Sequence, residues 1–140
     1  MLATPKAFIA ALGGLAMLRV PATPILQLIM YDMGMENFQY MMQDEPDAMM
    51  ALIGIMADRC LEACRIAARS PGEVLIVPEN SGTMLVSRAQ FEEICAPLLT
   101  LYAQAAHENG KHILLHACGH MEKLTDLVIE TGLDGIESLT

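Results

Sequence analysis

At 140 residues the chain holds one domain or part of one. With 54% hydrophobic residues and a mean hydropathy of +0.39 it can fill a core, but it has little polar surface to spare. A net charge of −9 with eight scattered basic residues argues against nucleic-acid binding, which needs clustered Lys and Arg to neutralise phosphates. Four cysteines in no regular framework fit a reducing compartment, no run is apolar enough to cross a membrane, and no basic stretch precedes the apolar N-terminus as in a signal peptide. A cytoplasmic protein is therefore expected.

Thr4-Pro5 reads as a helix N-cap with proline at the first helical position, opening an N-terminal helix within residues 1–20 that Gly13-Gly14 weakens or ends early. Residues 21–140 then form βα units. Val20 to Pro24 is extended, because residues before proline avoid the α region. Ile25-Leu26-Gln27-Leu28-Ile29-Met30 is a continuous apolar run, as expected of a strand buried on both faces, with Tyr31, Asp32 and Gly34 following it. Phe38 to Gln43 reads as a short helical turn. Asp44-Glu45-Pro46 is a strong helix start, with acids at the positive end of the dipole and proline at N1. Met49, Ile53, Met56, Cys60 and Cys64 continue it at helical spacing until Ser70-Pro71-Gly72. Cys60 and Cys64 share one face of that helix; small core residues are the preferred reading over a redox or metal pair. The twelve methionines likewise read as adaptable core filling.

Glu73 to Val77 is the next strand, with the polar loop Pro78 to Thr83 at its C-terminal end. Ser87 and Gln90 form a capping box that opens a helix with Phe91, Ile94, Cys95, Leu98 and Tyr102 inward. Pro97 must kink that helix or lie in an irregular part of it. Asn109-Gly110 closes it. Ile113-Leu114-Leu115 is a central strand, followed by a helix starting near His120 and Met121, and Asp134 to Leu139 opens or forms a last strand. Alternation of this kind implies an α/β fold with a parallel sheet, and about four strands amount to half of an eight-stranded (β/α)8 TIM barrel. A partial barrel has open edges, so homo-oligomerisation through an edge, aggregation or dependence on further chain is expected.

The stretch Lys111 to His120 holds the candidate chemistry. His116 and Cys118 are two apart, so on a continuing strand they point to the same face, where an imidazole and a thiolate can hold zinc. They lie at the C-terminal end of a strand, where α/β barrels do chemistry. On spacing alone the plainer reading is preferred, a core histidine bonded to backbone and a buried thiol. His120 is a candidate partner behind the ligands, a helix N-terminal position being the preferred alternative. His107 and His112 read as surface residues. Tyr31 and Asp32 are candidates for lining the pocket, with turn roles as the alternative.

In order along the chain, several segments resemble the uroporphyrinogen decarboxylase superfamily of (β/α)8 barrels, which includes cobalamin-linked, zinc-dependent methyltransferases. Pro24-Ile25-Leu26 with Asp44-Glu45-Pro46 is similar to its "P-x-T-L … D-P-E" segment. Glu79-Asn80-Ser81-Gly82 through Val86-Ser87-Arg88-Ala89-Gln90-Phe91 and Pro97 is similar to "E-x-x-G … L-S-P-x-x-F … P-Y", with Arg88 in place of a proline and Leu98 in place of a tyrosine. His116-Ala117-Cys118-Gly119 resembles the "H-x-C-G" of the methyltransferase branch, and Thr131 to Ser138 its "E-T-G-x-D-x-I" ending. The resemblance covers roughly residues 20–140. It implies His116 and Cys118 as zinc ligands, Glu79 as a catalytic residue serving as third ligand or substrate contact, and Tyr31, Asp32, Asn80 and Ser81 around the cofactor or substrate. It also implies a corrinoid (cobalamin) carried by a partner protein or substrate, with methyl transfer to or from a thiol or methylated small molecule. The second cysteine of the methyltransferases falls beyond Thr140, so weak zinc binding is expected of this chain alone. Decarboxylation of uroporphyrinogen is the second reading, and a non-catalytic half-barrel binding module the third.

Overall fold

In a computed structural model of the chain, residues 4–12, 19–79 and 82–139 are described. Helix α1 (Pro5–Leu12) precedes a sheet of β1 (Arg19–Pro21), β2 (Val74–Val77), β3 (His112–Gly119) and β4 (Gly135–Leu139). All pairings are parallel, and the strands lie side by side in chain order. Between β1 and β2 run α2 (Ile25–Met33), α3 (Met35–Asp44) and α4 (Pro46–Ala68). Between β2 and β3 come α5 (Arg88–Gln90), a π-helical turn (Phe91–Cys95) and α6 (Ala96–His107); α7 (Thr125–Glu130) joins β3 to β4. The architecture is α/β, with four parallel strands alternating with helices as in part of a (β/α)8 barrel.

Several expectations need correction. Ile25 to Met30 is not a strand but the first turns of α2. Ile25, Leu26 and Ile29 are buried at helical spacing while Tyr31 is 76% exposed, so one face of a helix meets the core. The first strand is Arg19–Pro21, and among the described residues the N-terminal helix covers Pro5–Leu12. Among the described strands β1 is at the sheet edge, where proline is tolerated. Gly13-Gly14 lies outside the described residues. The helical turn at Phe38 is a ten-residue helix. The helix expected from His120 begins at Thr125, although Met121, Leu124 and Val128 are buried as expected.

Local signals elsewhere act as read. Ser87 Oγ accepts from Gln90 N at 3.1 Å and Gln90 Oε1 accepts from Ser87 N at 2.9 Å, closing the capping box. Pro97 is the second residue of α6, in the first turn after the π-helical turn, where the missing proline N–H is tolerated. Cys60 and Cys64 are buried in the core. Burial raises both thiols, Cys64 to about 11, so they are inert packing residues.

The two faces of the sheet differ. Leu75 and Val77 of β2 and Ile113, Leu115 and Ala117 of β3 are fully covered, with α6 packed on β3 and on α4. Register places Arg19, Val74 and His112 together on the other face, followed by Ile76, Leu114 and Gly135, then His116 and Glu137. Ile76, Leu114, His116 and Glu137 are only half-buried. Arg19 Nη2 meets Glu137 Oε1 at 2.5 Å although two strands lie between them. In a flat sheet these edge strands would stand about 14 Å apart, so the sheet curls toward this face, as a barrel wall does.

Asp134 fixes the start of β4 against β3. Its Oδ2 accepts from Ile113 N at 2.8 Å and lies 3.0 Å from His107 Nε2, while its own N–H donates to Ile113 O at 3.0 Å. Asp134→Ala is expected to lower unfolding stability by about 1–2 kcal/mol, the value of a partly exposed charge-assisted bond. Asp134→Asn should recover roughly half of that. Urea titration of the two variants checks it, and equal losses would show that the backbone bond alone sets the register.

Candidate metal site

Strand β3 carries His116 onto the concave face opposite Glu137 of β4. The pairing then steps from His116↔Glu137 to Gly119↔Leu139, three residues against two. One extra residue in β3 therefore bulges at Ala117–Cys118, a device that re-aims side chains beside functional sites. Ala117 stays buried while Cys118 is exposed. The outcome is that Cys118 Sγ lies 3.2 Å from His116 Nε2. On the other side of the ring, His116 Nδ1 lies 2.9 Å from Glu137 Oε1, the oxygen that also meets Arg19. Arg19 first, and His116 second, hold the Glu137 carboxyl below its ordinary range. The neighbouring Ser138 has φ 63, a left-handed conformation that is strained for a residue with a Cβ.

The loop after β2 braces this turn from above. Thr83 N and Thr83 Oγ1 both donate to His120 O at 3.1 Å. A Cβ on Gly82 would meet His120 N at 3.3 Å and Cys118 O at 3.4 Å, tight enough that the facing backbone would have to give by a few tenths of an ångström. Gly119 itself has φ +115.

The donor pair fits zinc in its spacing. Bonds of about 2.0–2.1 Å to nitrogen and 2.3 Å to sulfur place two tetrahedral donors about 3.5 Å apart. The observed 3.2 Å widens to that by a small side-chain shift. Among the described residues no group of three or more His, Cys, Asp or Glu side chains is arranged to hold a metal ion.

Glu79, expected as a third ligand or substrate contact, does not join His116 and Cys118 in such a group. It is 1% exposed, and its carboxylate caps α2: Gln27 N donates to Glu79 Oε1 at 2.9 Å, and the amides of Ile25 and Leu26 also bond to it. Burial lifts its pKa to about 7, against the downward pull of those three amides.

Tyr31 and Asp32 lie on α2, not on a turn after a strand. Tyr31 lines a cavity of about 330 Å³ with Gln27, Met30, Met35 and Leu85, and its hydroxyl accepts from Gln27 Nε2 at 3.2 Å. Asp32 is exposed and does not line it. Leu85 belongs to the same loop whose Gly82 touches the Cys118–His120 turn, so one segment serves both cavity and donor pair. Asn80 and Ser81 lie outside the described residues. His120 is exposed and contributes its carbonyl to the brace. His107 and His112 are surface residues paired to Asp134.

Comparison with protein families decides the wider assignment. The uroporphyrinogen decarboxylase (URO-D) family model matches residues 6–138. The chain belongs to the URO-D family. No curated protein and no solved structure matches it. URO-D proteins are TIM barrels, and the four curled parallel strands are the corresponding part of that barrel. Arg88 makes a bidentate pair with Asp126 of α7, at 2.7 Å and 2.5 Å. That pair holds Asp126 down to about 2 and links the β2–α5 and β3–α7 connections at the surface.

Sequence reasoning missed Arg19 and Glu137. Arg19 falls in the stretch that the sequence assigns to the N-terminal helix, and it reaches a residue 118 positions away. Glu137 had a weak signal: strands of equal phase place a residue of β4 directly beside His116, but only once the register is known.

Proposed function

We propose that this URO-D family chain carries the His–Cys part of a zinc site used for methyl transfer between a corrinoid and a thiol or methylated small molecule. The observation that supports it is the pairing of Cys118 Sγ with His116 Nε2 at 3.2 Å, on the barrel face, at the C-terminal end of β3. His116 Nε2 and Cys118 Sγ would hold the ion. When bound, zinc lowers the pKa of a thiol and keeps a nucleophilic thiolate at neutral pH. Cys118 gives up its proton on loading, and His116 enters neutral. The exposure of Cys118 leaves the pair open to a small substrate, and the Tyr31 cavity supplies apolar surface close by along the same loop. The corrinoid would come on a partner protein or on the substrate.

Zinc measured per chain by elemental analysis is expected to approach one equivalent under excess zinc and to vanish in His116→Ala/Cys118→Ala. Binding by two protein donors should be weak, with loss on dialysis. A folded wild-type chain that takes up no more zinc than the double variant would rule the reading out. Decarboxylation of a tetrapyrrole polycarboxylate is the second reading, favoured by the family match itself. That chemistry needs basic groups for the substrate carboxylates, and Arg19 on the concave face is already paired with Glu137. Release of carbon dioxide from uroporphyrinogen by metal-free protein would favour it.

A further inference from the structure

We infer that Glu137, anchored by Arg19 from the far edge of the sheet, is the positioning residue that fixes the tautomer and direction of the His116 ring. The inference rests on the zinc reading for its consequence, but the arrangement itself belongs to the chain without metal. An ionised carboxylate only accepts hydrogen bonds. The guanidinium of Arg19 donates to Glu137 Oε1 at 2.5 Å, so that oxygen is held as an acceptor. The nitrogen of His116 facing that same oxygen at 2.9 Å must therefore carry the ring proton when the imidazole is neutral. That nitrogen is Nδ1, so the lone pair is left on Nε2, the atom 3.2 Å from Cys118 Sγ. In the metal-free chain the Cys118 thiol can donate to that lone pair. On metal binding the thiol proton leaves and the lone pair is already aimed.

The geometry adds a second consequence. Both donors converge on one oxygen of Glu137, and they come from β1 and β3, on strands that do not pair with each other. Ring orientation is thereby tied to the curl of the sheet: flattening the sheet withdraws Arg19, frees the carboxylate and releases the ring. A histidine ligand held through its other nitrogen by a carboxylate is a stronger and better-directed donor, and loss of such a partner typically costs about 10–100-fold in metal affinity.

The test uses nitrogen-15 NMR of the His116 ring in the metal-free protein, with zinc affinity by competition against a chelating dye. Wild type should show protonated Nδ1 and bare Nε2. Glu137→Ala should shift the ring toward the opposite tautomer and weaken zinc about 10–100-fold. Arg19→Met, at a half-exposed edge position, should keep the fold, broaden the tautomer ratio and weaken zinc by a smaller factor. Arg19→Met carries the test if Glu137→Ala does not fold. A variant that lowers thermal stability while leaving both tautomer and zinc affinity at wild-type values would reduce Glu137 to a structural role and overturn the inference. The tautomer is read without metal, so its failure is distinct from failure of the zinc reading, which would show as a correct tautomer with no zinc uptake in wild type.

Discussion

Glu79→Ala is expected to destabilise the chain by about 3 kcal/mol, a large fraction of the stability of a small domain. The carboxylate is buried and serves the first turn of α2, whose N-cap residue, Pro24, provides no side-chain cap. Removing it leaves amides of Ile25, Leu26 and Gln27 without their acceptor, and a buried donor without a partner costs about 1–3 kcal/mol. Glu79→Gln keeps an acceptor oxygen in place and should lose only about 1 kcal/mol. Chemical denaturation at pH 6 separates the two. If alanine costs no more than glutamine, the cap does not anchor α2.

The same residue sets a pH dependence with a definite sign. The folded pKa of about 7 lies above the ordinary 4.5, so the folded chain binds the proton more tightly than the unfolded chain does. The stabilisation from the protonated carboxyl is complete below pH 4.5 and is lost as pH rises toward and through 7. Across that window the loss should be roughly 3 kcal/mol. Asp126, held down to about 2, works in the opposite direction, but only in acid below its ordinary range. Subtracting the stability–pH curve of Glu79→Gln from that of wild type isolates the carboxyl. A difference curve flat between pH 4.5 and 7 would contradict the burial argument.

The alternation of strands and helices was legible because the 3.6 period of α4 and α6 is separated by short apolar runs, β2 and β3, bounded by turn residues. The start of the sheet was not. Ile25 to Met30 is apolar at almost every position, and periodicity cannot separate a buried strand from a buried helix in so short a run. The true strand, Arg19–Pro21, has only three residues, a proline and no apolar pattern, and pairing with β2 makes it a strand. The closeness of His116 and Cys118 was legible because they stand two apart on one strand, whereas the bulge at Ala117–Cys118 was not. Arg19 and Glu137 act across the curl of the sheet, and no spacing along the chain encodes that. For Glu79 the resemblance implies a chemical role, and its capping of α2 was not legible because the sequence reads that segment as a strand.

Two single-methyl substitutions should disable the donor pair without unfolding the protein. Gly119 has φ +115, a region that a side chain enters at a cost of about 1–3 kcal/mol, so Gly119→Ala pulls the backbone after Cys118 toward negative φ. Gly82→Ala acts from the other side. Its new carbon meets His120 N at 3.3 Å and Cys118 O at 3.4 Å, both backbone atoms, so the turn must yield by a few tenths of an ångström. Cys118 Sγ rides on that turn, while His116 is held separately by Glu137. The displacement is therefore taken up between the two donors and not shared by them. Each variant is expected to keep wild-type circular dichroism and to bind zinc about tenfold or more weakly, since misplacement by a fraction of an ångström is costly where two groups must act on one atom. Gly82 and Gly119 also touch, with 3.9 Å between the carbon added to Gly119 and Gly82 Cα, so the double variant should depart from additivity by about 0.5 kcal/mol or more. Wild-type zinc affinity in both single variants would mean that the turn is free to move without Cys118, and that the brace from the β2 loop has no part in the site.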